Sequence, residues 1–236
     1  MAALVVPASR LEHEPRRQRL ATGLGALDAQ LAGGWPAAAL SEVAGKRSAG
    51  RTSVVYASLA AAIGRGHVVA LVDAAGVFDP RSAEAAGVVL SHLLWIRGAA
   101  RTGRTVLQAA ELLVAAGGFG LVVLDFGERP ARVPDAAWLR LRHAAERHGT
   151  AVLVASPWRI VGAPAAAAVV MHGAAPRFVV AGRPLLAELQ TRATVERMVG
   201  VSPPPANEQI LHFSADVTTP MAPPPALLVA APSRSR

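Results

Sequence analysis

Two uninterrupted apolar runs, Val68-Val69-Ala70-Leu71-Val72 and Leu121-Val122-Val123-Leu124, carry no polar residue at alternate positions. A strand with one wet face shows a period of two, so these runs are expected as central strands covered on both faces. Covering both faces requires layers of helix above and below a sheet. Further β-rich runs at 40–44, Leu93–Arg97 and 150–155 alternate with helix-length segments at 52–64, 105–116 and Asp135–His148. Gly117-Gly118 and Gly149 supply stop signals for the last two helices. The pattern predicts an α/β fold: a mainly parallel central sheet flanked by helices. Two shorter strands at 167–172 and 177–181, around a Gly/Ala/Pro turn, are expected to add antiparallel edge strands near the C-terminus.

Composition sets the boundaries around this core. Residues 1–19 hold the cluster Arg16, Arg17 and Arg19 and read as a basic arm, 20–201 as one folded domain, and 202–236 as a tail. Eight of the 18 prolines fall in that last segment, including Pro203-Pro204-Pro205 and Pro223-Pro224-Pro225, so an extended, poorly ordered chain is expected there. A short partner-binding stretch around Ile210-Leu211-His212-Phe213 is the alternative. Without Cys there is neither a disulfide framework nor a thiolate metal site. The N-terminus lacks a secretory signal pattern, and the low-charge runs are broken by Glu111 or by Gly and Pro, so no membrane span is expected and a cytoplasmic, nucleoid-associated location is.

The segment Gly45-Lys46-Arg47-Ser48-Ala49-Gly50-Arg51-Thr52 follows a predicted strand and opens a predicted helix. It has the spacing of a phosphate-binding loop, with Arg51 where that motif requires Lys. In a working loop, backbone N–H groups and the helix dipole hold phosphate oxygens, Lys reaches the β- and γ-phosphates, and the hydroxyl, here Thr52, binds magnesium. Arg51 keeps the charge but is a longer planar fork, poorly matched to a tight backbone cradle. Gly45, Gly50, Arg51 and Thr52 are therefore read as a vestigial nucleotide site.

The order of motifs resembles the RecA family. Thr22-Gly23-Leu24-Gly25-Ala26-Leu27-Asp28, Leu31-Ala32-Gly33-Gly34-Trp35-Pro36 and Glu42-Val43-Ala44-Gly45 look like that family's lead-in to its phosphate loop. Val72-Asp73-Ala74-Ala75-Gly76-Val77-Phe78-Asp79-Pro80 resembles its segment after the next strand, and 121–125 its second nucleotide-binding strand. The resemblance thereby implies Asp125 as a further member of the vestigial nucleotide site, the carboxylate that would help hold magnesium, with capping by neighbouring backbone donors as the preferred reading. The resemblance implies a RecA-like sheet over about 20–201. It also implies that Ala75 stands where active members carry the Glu that activates water, and that Ser156-Pro157 stands where they carry a phosphate-sensing Asn-Gln pair. A methyl group cannot take a proton, and Pro has no side-chain hydrogen bond to give. The family's two DNA-binding loops look cut down to about 126–134 and to the stretch after Trp158.

Among degenerate relatives the chain is most similar to the ImuA group. That similarity implies a non-catalytic adaptor in damage-induced translesion DNA synthesis within the SOS response, with no bound ATP or magnesium expected. The implied partners are an ImuB-type inactive relative of Y-family polymerases and an error-prone polymerase subunit, with RecA and DNA as further candidates. A divergent DNA-stimulated ATPase and a SulA-like cell-division inhibitor are the competing expectations.

A net charge of +8, with 24 Lys plus Arg against 16 Asp plus Glu, suits a polyanionic partner. Arg97, Arg101 and Arg104 lie in a stretch without acidic residues, and Arg140 and Arg147, seven apart, are expected on one helix face. These five are the candidate DNA contacts, with a solvated Arg-rich face as the alternative. Trp95, Trp138 and Trp158 are read as core or interface anchors ahead of base-stacking platforms. His143 and His148, five apart, do not share a helix face, so no metal site is expected.

Overall fold

The computed structural model describes residues 18–98, 102–128, 132–181, 183–199 and 209–214. A short antiparallel pair, β1 (Arg19–Leu20) with β2 (Trp35–Pro36), brackets helix α1 (Gly25–Gln30). The chain then enters β3 (Leu40–Gly45) and α2 (Arg51–Gly64), followed by β4 (Val68–Asp73), α3 (Pro80–Ala85), β5 (Leu93–Arg97) and α4 (Gly103–Ala116). Next come β6 (Phe119–Asp125), α5 (Asp135–His148) and β7 (Ala151–Ser156), and last β8 (Ala167–Ala181), β9 (Arg183–Met198) and β10 (Gln209–Ser214).

The eight-stranded sheet has the order β10-β9-β8-β3-β7-β6-β4-β5. From β8 to β5 neighbouring strands run parallel, and β9 and β10 add antiparallel strands. Both continuous apolar runs lie inside the sheet, β4 between β5 and β6, and β6 between β4 and β7. Alternation along each strand then feeds two cores. Val69, Leu71, Leu121, Val123 and Leu153 pack with Val54, Val55, Leu59 and Ile63 of α2. Ala70, Val72, Val122, Leu124, Val152 and Val154 pack on the other face with Leu107, Val114, Trp138 and Leu141 of α4 and α5. Burying each such aliphatic side chain contributes roughly 1.5–3 kcal/mol before entropy is counted.

The lead-in segment is shaped by close backbone approach. A Cβ on Gly34, where φ is +123°, would fall 2.1 Å from the Leu20 carbonyl oxygen, and one on Gly23 would fall 2.7 Å from that of Ala57. Asp28 accepts the Thr22 N–H at 2.7 Å, closing the turn that leads into α1.

Two parts differ from the sequence expectation. The segments at 167–172 and 177–181 are one long strand, because the Gly/Ala/Pro stretch is absorbed by register shifts between Met171 and Ala174 and between Arg177 and Phe178. Within the Pro-rich segment, Gln209–Ser214 forms β10, paired with β9 from Glu188 to Ala193. Leu211 is buried and Phe213 packs on the core, which gives this stretch the apolar face that its neighbours in sequence lack. Residues 1–17 of the basic arm, 200–201 at the end of the folded domain, and 202–208 and 215–236 of the tail lie outside the described residues. Among the described residues no helix is long and apolar enough to cross a membrane.

Candidate functional site

Because β3, β4, β6 and β7 run parallel, their C-terminal ends and the loops after them meet at one edge of the sheet. The loop between β3 and α2 lies there. Ser48 takes a left-handed φ of +62° and Gly50 one of +89°, and α2 begins directly at Arg51. Gly45 is locked by proximity, since a Cβ there would meet that of Met171 at 2.7 Å. Thr191 of β9 closes the loop from the other side, donating its hydroxyl to the Ala49 carbonyl at 2.6 Å.

Arg51 turns back into this framework and is only 7% exposed. Its guanidinium donates to the Gly45 carbonyl, to the Gly127 carbonyl at 2.9 Å and to Glu128 Oε1 at 2.8 Å. It thus stitches the phosphate loop to the loop following β6, 76 residues away. Its Nε–H is buried without a partner.

Asp125 ends β6 beside this stitch. Its Oδ1 accepts the Gly127 N–H at 2.8 Å, and burial holds its carboxyl above the ordinary carboxylate range, against the opposing pull of that bond and of the Arg51 charge. Ala75, in the loop after β4, lies against Gly127: a Cβ built on that glycine would be 2.5 Å from the Ala75 methyl. The loop carrying Ala75 is held by Asp73, whose carboxylate accepts the N–H groups of Val77 and Phe78 at 3.0 Å each. At the end of β7 the Ser156 hydroxyl donates to the Trp158 carbonyl at 2.7 Å, so it caps its own loop.

Between the phosphate loop and the loops after β4 and β6 lies a cleft of about 280 Å³. Lys46, Arg47, Ser48, Thr52 and Glu128 stand at its exposed rim, with Arg51 and Asp125 deeper and Tyr56, Val77, Phe78 and Leu189 as apolar walls. All five residues read as a nucleotide site meet here, Gly45 through its carbonyl bond to Arg51. Gly127, Glu128 and Thr191 were missed by sequence reasoning. Glu128 had one signal, being the sole carboxylate between Asp125 and Asp135.

The candidate DNA contacts do not form one cluster. Arg97 lies over the Trp95 ring at 5.5 Å, and Trp95 packs with Phe78 in the α2 layer. Arg104 and Arg140 line a groove between α4 and α5 on the opposite layer, where Arg140 pairs with Glu111 at 3.4 Å. Arg147 is exposed two turns further along α5, toward the opposite edge of the sheet, and Arg101 lies outside the described residues. Crossover connections put α4 and α5 on the far face from Arg97, a separation that proximity in sequence conceals. Trp138 is fully buried, Trp95 is half-buried, and Trp158 is 50% exposed. Among the described residues no group of His, Asp and Glu is arranged to hold a metal ion.

Residues 9–137, more than half of the chain, match the RecA N-terminal domain family. Protein RecA of Lactobacillus acidophilus is 39% identical over 105 residues, which is 44% of this chain and 28% of that protein. Protein RecA of Acholeplasma laidlawii is 35% identical over 120 residues, or 50% of this chain and 35% of that one. The matched segments thus span about a third or less of those relatives. The crystal structure of the RadB recombinase superposes with a TM-score of 0.61 at 20% identity, covering 81% of this chain and 94% of that one. With the motif order, the sheet topology and the family match in agreement, this chain belongs to the RecA family.

Proposed function

We propose that this chain is a RecA-family scaffold that works through contacts and without ATP turnover, as an adaptor of the ImuA type in translesion DNA synthesis. The observation carrying the first half is Arg51. Three of its five N–H donors are committed to Gly45, Gly127 and Glu128, so the cation that would reach a nucleotide's terminal phosphates is instead part of the framework. Nucleotide with magnesium fits these residues poorly. The cleft holds about 280 Å³. Its one strand-end carboxylate, Asp125, is bonded to Gly127 N–H and biased toward the protonated form. Ala75 offers no base.

The second half rests on the motif order, the Arg51 and Ala75 replacements, and the basic balance of the chain. On this reading the partners are an ImuB-type polymerase relative and an error-prone polymerase subunit, with RecA and DNA as further candidates. Deleting the gene should lower damage-induced mutation frequency, and the tagged chain should retain a polymerase-related subunit from damaged cells. An unchanged mutation frequency together with no such subunit overturns the adaptor assignment.

A further inference from the structure

We propose that β10 is a releasable strap: it leaves β9 as one unit while the rest of the sheet stays folded, and its docked state holds the phosphate loop in the form that Arg51 fills. This goes beyond the contact-only reading above and does not depend on it.

The place of β10 in the sheet sets how firmly it is held. It is the outermost strand and pairs with β9 alone, from Glu188 to Ala193. Residues 199–208, with Pro203-Pro204-Pro205 among them, separate the two strands in sequence, so the pairing lacks the short hairpin turn that would nucleate it. Side chains alternate along the strand. Ile210 and His212 are exposed, with His212 bonding Glu188, while Leu211 is buried and Phe213 packs on the core. Two apolar side chains and one ladder thus hold β10, whereas β4 and β6 are paired along both edges and covered on both faces. An element held so lightly opens at lower free energy than the domain as a whole.

The inner face of the strap bears on the phosphate loop. Phe213 lies so close to Gly50 that a Cβ there would meet its ring at 3.3 Å. Its register partner Leu189 lines the cleft, and Leu211 stands opposite Thr191, whose hydroxyl donates to the Ala49 carbonyl at 2.6 Å. Gly50 immediately precedes Arg51, sits at a left-handed φ and has no side chain of its own to fix it, so packing from Phe213 supplies that restraint. When Phe213 leaves, backbone relaxation at Gly50 carries Arg51 with it, together with the bonds to Gly45, Gly127 and Glu128. Strap and loop are therefore coupled through one continuous set of contacts, and whatever draws β10 away is felt in the cleft.

Native-state amide hydrogen exchange of the full chain tests this. The reporters are the β10 amides bonded to β9, the amides of β4 and β6, and two at the loop: Ala49 and Val54, bonded to the Lys46 and Gly50 carbonyls at 3.1 Å each. The β10 amides should exchange at least about a hundredfold faster than those of β4 and β6. Phe213→Ala should speed β10, Ala49 and Val54 by at least about tenfold and leave β4 and β6 unchanged. Ile210→Cys with Arg192→Cys, at register partners that are both exposed, supplies a lock in a chain without native Cys. With that disulfide formed, β10, Ala49 and Val54 should slow together, and reduction should restore them. Two results would overturn the proposal: β10 amides that exchange as slowly as those of β4 and β6, or β10 rates that change in the variants while Ala49 and Val54 do not move.

Discussion

Thr191 donates its hydroxyl to the carbonyl of Ala49 at 2.6 Å, tying the antiparallel strand β9 to the phosphate loop 142 residues earlier. The same contact crowds Gly50, where an added Cβ would lie 2.9 Å from Thr191 Cγ2 and 3.3 Å from the Phe213 ring. With φ at +89°, Gly50 also occupies backbone space that other residues enter only with strain. Gly50→Ala is expected to cost about 2 kcal/mol, the upper end of what a left-handed φ alone would impose. Thr191→Val, which leaves a buried carbonyl short of its donor, is expected to cost about 1–2 kcal/mol. Urea unfolding of both variants measures this.

Arg51 is expected to matter for stability. Arg51→Ala deprives two loop carbonyls of their donor and separates Glu128 from its cation, for an expected loss of about 2–4 kcal/mol. Glu128 is 44% exposed and rehydrates, which keeps the loss toward the lower end. Arg51→Lys cannot span all three acceptors and should recover only part of it. A loss below about 1 kcal/mol would mean that the stitch carries little weight.

Asp125 gives a pH signature. Burial raises its folded pKa above the unfolded value, so between those two values the native state holds a proton that the unfolded chain has released. Stability from this group is therefore present below the unfolded value and is lost as pH rises through the folded one. Asp125→Asn, which keeps an acceptor for Gly127 N–H, should flatten that decline and leave the protein at least as stable at neutral pH. Denaturant midpoints measured from mildly acidic to neutral pH provide the comparison.

Glu42 is fully buried on β3, where its carboxylate accepts the N–H groups of Ile160 and Val161 and pairs with Arg159. Glu42→Ala orphans two backbone donors and should cost about 2–4 kcal/mol. Glu42→Gln, with an acceptor retained, should cost less. Amide hydrogen exchange at Ile160 and Val161 should accelerate first in the alanine variant.

The layering was legible because Val68–Val72 and Leu121–Leu124 lack alternation, and no arrangement but a doubly covered sheet buries both faces of such strands. Helix limits were equally legible from Gly117 and Gly149. The β9 strand was overlooked although Glu188, Gln190, Arg192, Thr194 and Glu196 alternate with smaller or apolar residues, a period-two signal of a half-wet strand. Prolines on either side hid β10. At the site, the exchange of Lys for Arg51 was visible, but its consequence was not: its partners Gly127 and Glu128 come from another βα loop, and only the parallel register brings them together.

On the proposed reading, Arg51 belongs to the framework of this RecA-family site and not to an ATP-driven cycle. Phosphate release from ATP by the purified chain, with magnesium and single-stranded DNA present, tests it most directly when Arg51→Ala is run alongside. Both proteins are expected to stay at the rate of the protein-free blank. Turnover by the wild-type chain above that blank, lost in Arg51→Ala, would contradict it.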